Sequence, residues 1–211
     1  SYVAGHSLGE ITAFYCADVF SFEECISLIK VRSELMSEAA QGSMAALIGF
    51  DRNQLDYLIN KTDDIVIAND NSSSQVVLSG SVEALDKISQ ELTCKRFLRL
   101  NVSGAFHSPF MKDSAIKFSK YLDTLNFKTP SCPVISNSNP SKCDNPDELK
   151  FRLKNQMSNG VRWRETMDLM SQDNDLHIIE IGPSNVLSGL LKRHLKDVKI
   201  SQVSSSDKVS Y

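Results

Sequence analysis

The chain has 211 residues, 41% hydrophobic and 23% charged, the composition of one globular domain or of one domain carrying a smaller insert. Lys plus Arg number 23 against 26 Asp plus Glu, and a net charge of −3 argues against a nucleic-acid binder, which would carry a basic surplus. The longest apolar run, Met44–Phe50, is far short of a bilayer span, and five cysteines without a C-x-x-C pair read as free thiols in a reducing compartment, with no zinc site.

The chain opens at Ser1 rather than Met, and Tyr2–Ala4 reads as the end of a strand, so an upstream segment holding any targeting peptide and part of the active site is expected. Gly5-His6-Ser7-Leu8-Gly9 follows, then a helical stretch through Cys16. Ser21 and Glu24 have the spacing of a capping box and open a second helix over Phe22–Ala40. Next come a strand at Met44–Phe50, a helix at Arg52–Asn60, strands at Ile65–Ala68 and Gln75–Ser79, a helix at Val82–Leu92 and a strand at Arg96–Asn101. That order is βαββαβ, the split ferredoxin-like pattern, and it would fold as an insert. Ser108-Pro109 marks a helix start, with Phe110, Met111, Phe118 and Leu122 on its buried side. Pro133–Ser136 reads as a strand, Asn137–Pro146 as a polar loop, and Leu149–Met157 and Trp163–Met170 as helices. A strand at His177–Ile181 and a helix at Asn185–Leu195 close the pattern. Strands alternating with helices on both sides of the insert imply an α/β body with a mostly parallel sheet.

Gly5-His6-Ser7-Leu8-Gly9 is a G-x-S-x-G turn between a strand and a helix, the context of a nucleophile elbow. Its two glycines would permit a strained corner that lifts the Ser7 hydroxyl. The Leu8 N–H, at the positive end of the following helix, would then face an oxyanion. Of the four histidines, His6 adjoins Ser7 and should diverge from it, His177 starts a buried-looking strand, and His194 sits near a helix C-terminus. His107, one residue before a capped helix start, suits a general base, because the helix end disfavours imidazolium. Arg32 has Leu28, Ile29, Leu35 and Met36 at helical spacing, so it projects from a buried face. A buried guanidinium needs an internal carboxylate or an anionic ligand.

These stretches, with Gly42–Ala46, Gln75–Gly80, Gly104–Pro109, Asn159–Trp163 and Glu180–Arg193, resemble the malonyl-CoA:acyl-carrier-protein transacylases and, more distantly, the acyltransferase domains of polyketide synthases. The resemblance implies an α/β-hydrolase-like core over residues 1–42 and 102–211, lacking the N-terminal part of the family fold, and a ferredoxin-like subdomain over 43–101. It implies Ser7 as nucleophile, His107 as base and Arg32 as clamp for the malonyl carboxylate. The histidine would be oriented by a backbone carbonyl near Arg162, and Phe106 looks like the malonyl-preferring version of its position. Family members carry upstream a Gly-Gln-Gly segment that supplies a second oxyanion donor. Losing one such donor costs about 100- to 1000-fold in rate, so these residues alone are expected to be weakly active.

No metal or redox cofactor is implied. The implied partners are malonyl-CoA and an acyl carrier protein, whose acidic surface would suit Lys95, Arg96, Arg99, Lys192 or Arg193, although solvated surface charge explains these equally well. A monomer is expected in the cytoplasm, or in an organelle if an upstream targeting segment exists. Three other readings stay open at this point: a serine thioesterase or hydrolase, the acyltransferase domain of a polyketide synthase, and a non-catalytic carrier-docking module.

Overall fold

A strand of two residues, β1 (Val3–Ala4), turns through Gly5-His6-Ser7 directly into helix α1 (Leu8–Cys16). The computed structural model describes residues 1–39, 41–196 and 198–205. Helix α2 (Phe22–Glu38) starts at a complete capping box: Ser21 accepts from the Glu24 N–H, and the Glu24 carboxylate accepts from the Ser21 N–H. It buries Cys25, Leu28, Arg32 and Met36, a single stripe of helical period.

Strand β2 (Ser43–Phe50), helix α3 (Arg52–Asn60), strands β3 (Ile65–Ser72) and β4 (Gln75–Gly80), helix α4 (Val82–Glu91) and strand β5 (Cys94–Arg99) follow in turn. Their strands form one antiparallel sheet in the order β3-β4-β2-β5, that of a split βαββαβ unit. Alternation in β2 and β4 sends Ala45, Leu47, Val76 and Leu78 to one face, where Leu55, Leu58, Leu85 and Ile88 of the two helices cover them. Met44, Ala68 and Val77 face the other way and pack with Leu100, Val102 and Phe106. Strand β3 runs on to Ser72, past the Ala68 end read from the sequence. The polar run Asn69-Asp70-Asn71 gives no strand signal, yet its backbone is paired on both sides: with β4, and through Asn69 with Val161.

Beyond the sheet, Ser108 caps a single 3₁₀ turn, Pro109–Met111, before helix α5 (Lys112–Asp123). Strand β6 (Val134–Ile135) lies parallel to β1, with Val3 opposite Val134. Strand β7 (Lys142–Cys143) adds antiparallel to β6, inside the stretch read as a polar loop. A two-residue strand has no period for a sequence to display. This core sheet is therefore mixed, where the sequence implied a mostly parallel one. Helix α6 (Pro146–Lys154) completes the layer, and Ile11, Phe14, Leu28, Phe118, Leu122, Val134, Leu149 and Leu153 form its dry centre. All five cysteines are free.

Helix α7 (Trp163–Met170) spans the division between two compact units, Ser1–Trp163 and Arg164–Tyr211. In the second, strands β8 (His177–Ile181) and β9 (Lys199–Val203) pair in parallel, joined through helix α8 (Val186–His194). Strand β9 had no counterpart in the sequence reading. Glu180 accepts from the Leu187 and Ser188 N–H groups at 3.1 and 2.7 Å, satisfying donors at the positive end of α8. Strand β8 is not the buried strand inferred from its apolar run: among the described residues it pairs on one side, and Ile181 is 72% exposed.

Candidate active site

Ser7 occupies the corner between β1 and α1 with φ 53° and ψ −109°, a region that non-glycine residues seldom adopt and that costs of order 1–3 kcal/mol. Its surroundings over-determine the corner. The Ser7 N–H donates to Asn137 Oδ1 at 2.7 Å, and Gln156 Nε2 donates to the Ser7 carbonyl at 2.8 Å. Asn137 Nδ2 also donates to the Gly5 carbonyl at 2.6 Å. Only one of the two motif glycines is crowded. A Cβ on Gly5 would lie 1.9 Å from the Gly9 carbonyl oxygen, whereas one on Gly9 would meet nothing within 4 Å.

Two side chains converge on the Ser7 hydroxyl. His107 Nε2 lies 2.8 Å from Oγ, and Arg32 Nη2 donates to the same oxygen at 3.0 Å. His107, itself at φ 55°, turns Nδ1 toward the carbonyls of Gln156 and Asn159, at 3.1 and 3.2 Å. Carbonyls only accept, so Nδ1 carries the hydrogen and the Nε2 lone pair faces the serine. The ring is held neutral, its pKa depressed to about 4, first by burial and then by the nearby Arg32 charge. Burial thus leads the causes, where the sequence pointed to the following helix terminus.

Arg32 is buried, and burial lowers its pKa to about 10, which leaves it charged at neutral pH. Its Nε donates to Gln156 Oε1 at 3.0 Å. Among the described residues no carboxylate lies within ion-pair distance of it. The side chain therefore presents a positive charge beside the serine hydroxyl with capacity for an anion.

The carbonyl assigned near Arg162 belongs elsewhere: Gln156 and Asn159 supply it. Arg162 instead donates its N–H to the Asn137 carbonyl and its Nη1 to the Ser138 carbonyl, at 3.0 and 3.1 Å, bracing the loop that holds Ser7. Residues 155–162 form a loop, and no periodicity tells which of its carbonyls points inward. The Leu8 N–H engages no backbone carbonyl among the described residues and opens α1 beside Ser7. His6 turns away, with Nε2 2.9 Å from Asn71 Oδ1 and its ring edge-on to Trp163. His177 meets Ser201, and His194 pairs with Asp168 at 2.7 Å. Phe106 is half-buried and packs against both the main core and the open face of the small sheet.

Three residues of this constellation escaped the sequence reading: Gln156, Asn137 and Glu10. Glu10 carried a usable signal, since Ala13 and Phe14 follow it at helical spacing and place a carboxylate on a buried stripe. It is fully buried, and burial pushes its pKa up to about 7. An open cavity of about 510 Å³ shares Asn155, Asn159, Gly160 and Arg162 with the loop over 155–162, although Ser7, His107 and Arg32 do not line it. Among the described residues no group of three or more His, Cys, Asp or Glu is placed to hold a metal ion. Chemically, the arrangement offers a hydroxyl with a neutral acceptor for its proton and a fixed cation, both within hydrogen-bond distance of it.

The sequence model described as "Acyl transferase domain" matches residues 1–209. The chain is 43% identical to the malonyl CoA-acyl carrier protein transacylase of Synechocystis sp. over 206 residues, which cover 98% of this chain and 70% of that one. It is 36% identical to the protein of the same name from Bacillus subtilis, covering 95% of this chain and 67% of the relative. The crystal structure of the Synechocystis transacylase superposes with a TM-score of 0.95 over 98% of this chain and 70% of that one. A malonyl-transacylase in complex with its type II polyketide acyl-carrier protein superposes at 0.92, with 33% identity over 98% of this chain and 70% of that one.

Proposed function

The chain belongs to the acyl transferase domain family, and from that premise we propose that it moves the malonyl group of malonyl-CoA to the phosphopantetheine thiol of an acyl carrier protein, through a malonyl ester on Ser7, in fatty-acid synthesis. The observation that carries this reading is a buried, charged guanidinium 3.0 Å from the Ser7 hydroxyl. Malonyl differs from acetyl by a carboxylate, and an acyl group on Ser7 would bring that carboxylate to Arg32 for a charge-assisted, bidentate pair.

His107 takes the Ser7 proton as Oγ attacks the thioester carbonyl, and the Leu8 N–H meets the oxyanion. Buried beside Arg32, the imidazolium so formed is a strong acid, and it passes its proton to the departing CoA thiolate. The carbonyls on Nδ1 keep the ring aligned without a carboxylate partner. The carrier thiol then repeats the sequence in reverse. The reaction moves one acyl group between two thiols and changes no oxidation state, so we assign no cofactor.

We assign residues 1–42 and 102–211 to an α/β-hydrolase-like catalytic core and residues 43–101 to a ferredoxin-like subdomain; the strand order β3-β4-β2-β5 and its own apolar centre support the second assignment. No helix among the described residues is long and apolar enough to cross a membrane. Five free cysteines support a reducing compartment, and we place the protein in the cytoplasm as a monomer that binds no nucleic acid.

Incubation with malonyl-CoA followed by intact-mass measurement tests the reading. A malonyl adduct is expected on the wild-type chain, absent in Ser7→Ala and discharged by a carrier protein bearing phosphopantetheine. Free malonate released without carrier would indicate a thioesterase instead, and carrier binding without any adduct would reduce the chain to a docking module.

A further inference from the structure

Glu10 lies fully buried, three residues beyond Ser7 on α1. Its Oε2 accepts from Gln156 Nε2 at 3.0 Å and from the Asn137 N–H at 3.3 Å. Gln156 Oε1 in turn accepts from Arg32 Nε at 3.0 Å. A guanidinium only donates and an ionised carboxylate only accepts, so a single amide links Arg32 and Glu10 as an indirect ion pair. Among the described residues the charged group that acts on Glu10 is Arg32 of α2. The segments around it otherwise present neutral groups: the Ser136 hydroxyl and Asn137 N–H after β6, and the Gln156 amide after α6. The other carboxyl oxygen, Oε1, and the Ser136 hydroxyl are both buried and make no well-formed hydrogen bond, although Ser136 is near enough to favour the ionised form weakly against the larger effect of burial. Such a site holds an ionised carboxylate poorly and accommodates a protonated one, whose O–H has an acceptor at hand. Burial raises the Glu10 pKa to about 7, in keeping with that balance.

A malonyl group on Ser7 brings a second carboxylate to the same guanidinium. Two carboxylates sharing one buried cation resist joint ionisation. We propose that Glu10 is a specificity-determining positioning residue: it takes up a proton when the malonyl carboxylate pairs with Arg32, so that the cation exchanges one anionic partner for another and the acyl-enzyme pocket stays neutral. This rests on Arg32 acting as the malonyl clamp. The acyl transfer itself is proton-neutral, because the Ser7 hydrogen leaves on the CoA thiol by way of His107. The proton on Glu10 is an additional one drawn from solvent. Acetyl carries no second charge and leaves Glu10 ionised.

Proton uptake in weakly buffered solution reads the coupling directly. At about pH 8, malonyl-CoA should draw about half to one proton per malonyl-serine formed, and acetyl-CoA close to none. The malonyl-CoA KM, divided by the acetyl-CoA KM to cancel ionisations of the CoA moiety, should rise by up to about tenfold per pH unit above neutrality. In Glu10→Gln, neutral at every pH and still able to accept from Gln156, that rise should vanish. Equal proton uptake with the two thioesters overturns the inference, and so does an unchanged KM slope in Glu10→Gln. If that variant does not fold, the wild-type proton count decides alone. Arg32→Ala separates the layers: an unaltered malonyl-to-acetyl ratio there defeats the clamp itself, whereas a collapsed ratio with no proton uptake defeats only the role given to Glu10.

Discussion

Arg32 and His107 show how burial sets the chemistry of a single side chain. Removing the guanidinium in Arg32→Ala deletes a charged hydrogen bond worth about 1.5–3 kcal/mol, so the malonyl-to-acetyl ratio of kcat/KM should fall on the order of 10- to 100-fold. Competition between the two thioesters measures it. Arg32→Lys should recover only part of the ratio, because an ammonium lacks the planar fork. The depressed pKa of His107 keeps the base neutral down to about pH 4, so acylation should be lost only as pH falls through that value. Glu10 and His107 also tilt stability in opposite directions. Folded Glu10 holds its proton up to about 7, against 4.5 in the ordinary group, so stability is lost as pH rises through that window. Folded His107 refuses a proton until about 4, against 6.5, so stability is lost as pH falls through that one. Urea unfolding of Glu10→Gln should show a stability advantage over wild type that grows from pH 5 to about pH 7.

At the scale of elements, the β1–α1 corner depends on contact between two backbones. In Gly5→Ala the new Cβ would fall 1.9 Å from the Gly9 carbonyl oxygen and 2.5 Å from the Glu10 nitrogen, and α1 would have to leave its place against the strand. A loss of at least about 3 kcal/mol, or failure to fold, is expected, since backbone cannot yield as a side-chain end can. Gly9→Ala should fold, which makes it the matched control in the same denaturation experiment. The start of α2 is a milder case. Ser21→Ala removes one half of the capping box and should cost about 1 kcal/mol. For a chain of this size that corresponds to a fall in Tm of about 2–4 °C by calorimetry.

Across the molecule, the site is assembled from segments distant in sequence: Ser7 meets His107 across 100 residues and Gln156 across 149. The loop that supplies both carbonyls to His107 is also where the small sheet touches the rest of its unit, through the Asn69–Val161 bridge. Gly160 permits that approach, for a Cβ there would lie 2.6 Å from the Ile67 carbonyl oxygen. Gly160→Ala should therefore displace the His107 acceptors and lower kcat on the order of 10- to 100-fold, a cost typical of small misplacements. The malonyl-to-acetyl ratio should change less than kcat, because Arg32 meets this loop at the Gln156 side chain, four residues from the substituted position; steady-state assays with both thioesters distinguish the two effects.

Local chemistry was legible in the residues themselves. The Ser21 capping box, the βαββαβ order, the Gly5–Gly9 turn and the burial of Arg32 depend on neighbours within a few positions, where spacing maps directly onto a face or a corner. The two-residue strand β7, the bridge from β3 to Val161, and the choice of Gln156 and Asn159 rather than Arg162 beneath His107 belong to the tertiary structure alone. Loop carbonyls and very short strands are oriented by whatever packs against them, and pairings made across tens of residues leave no period in the chain. Desolvation is likewise collective: the charge states of Glu10 and His107 are decided by every group that excludes water from them, and no stretch of sequence contains that sum.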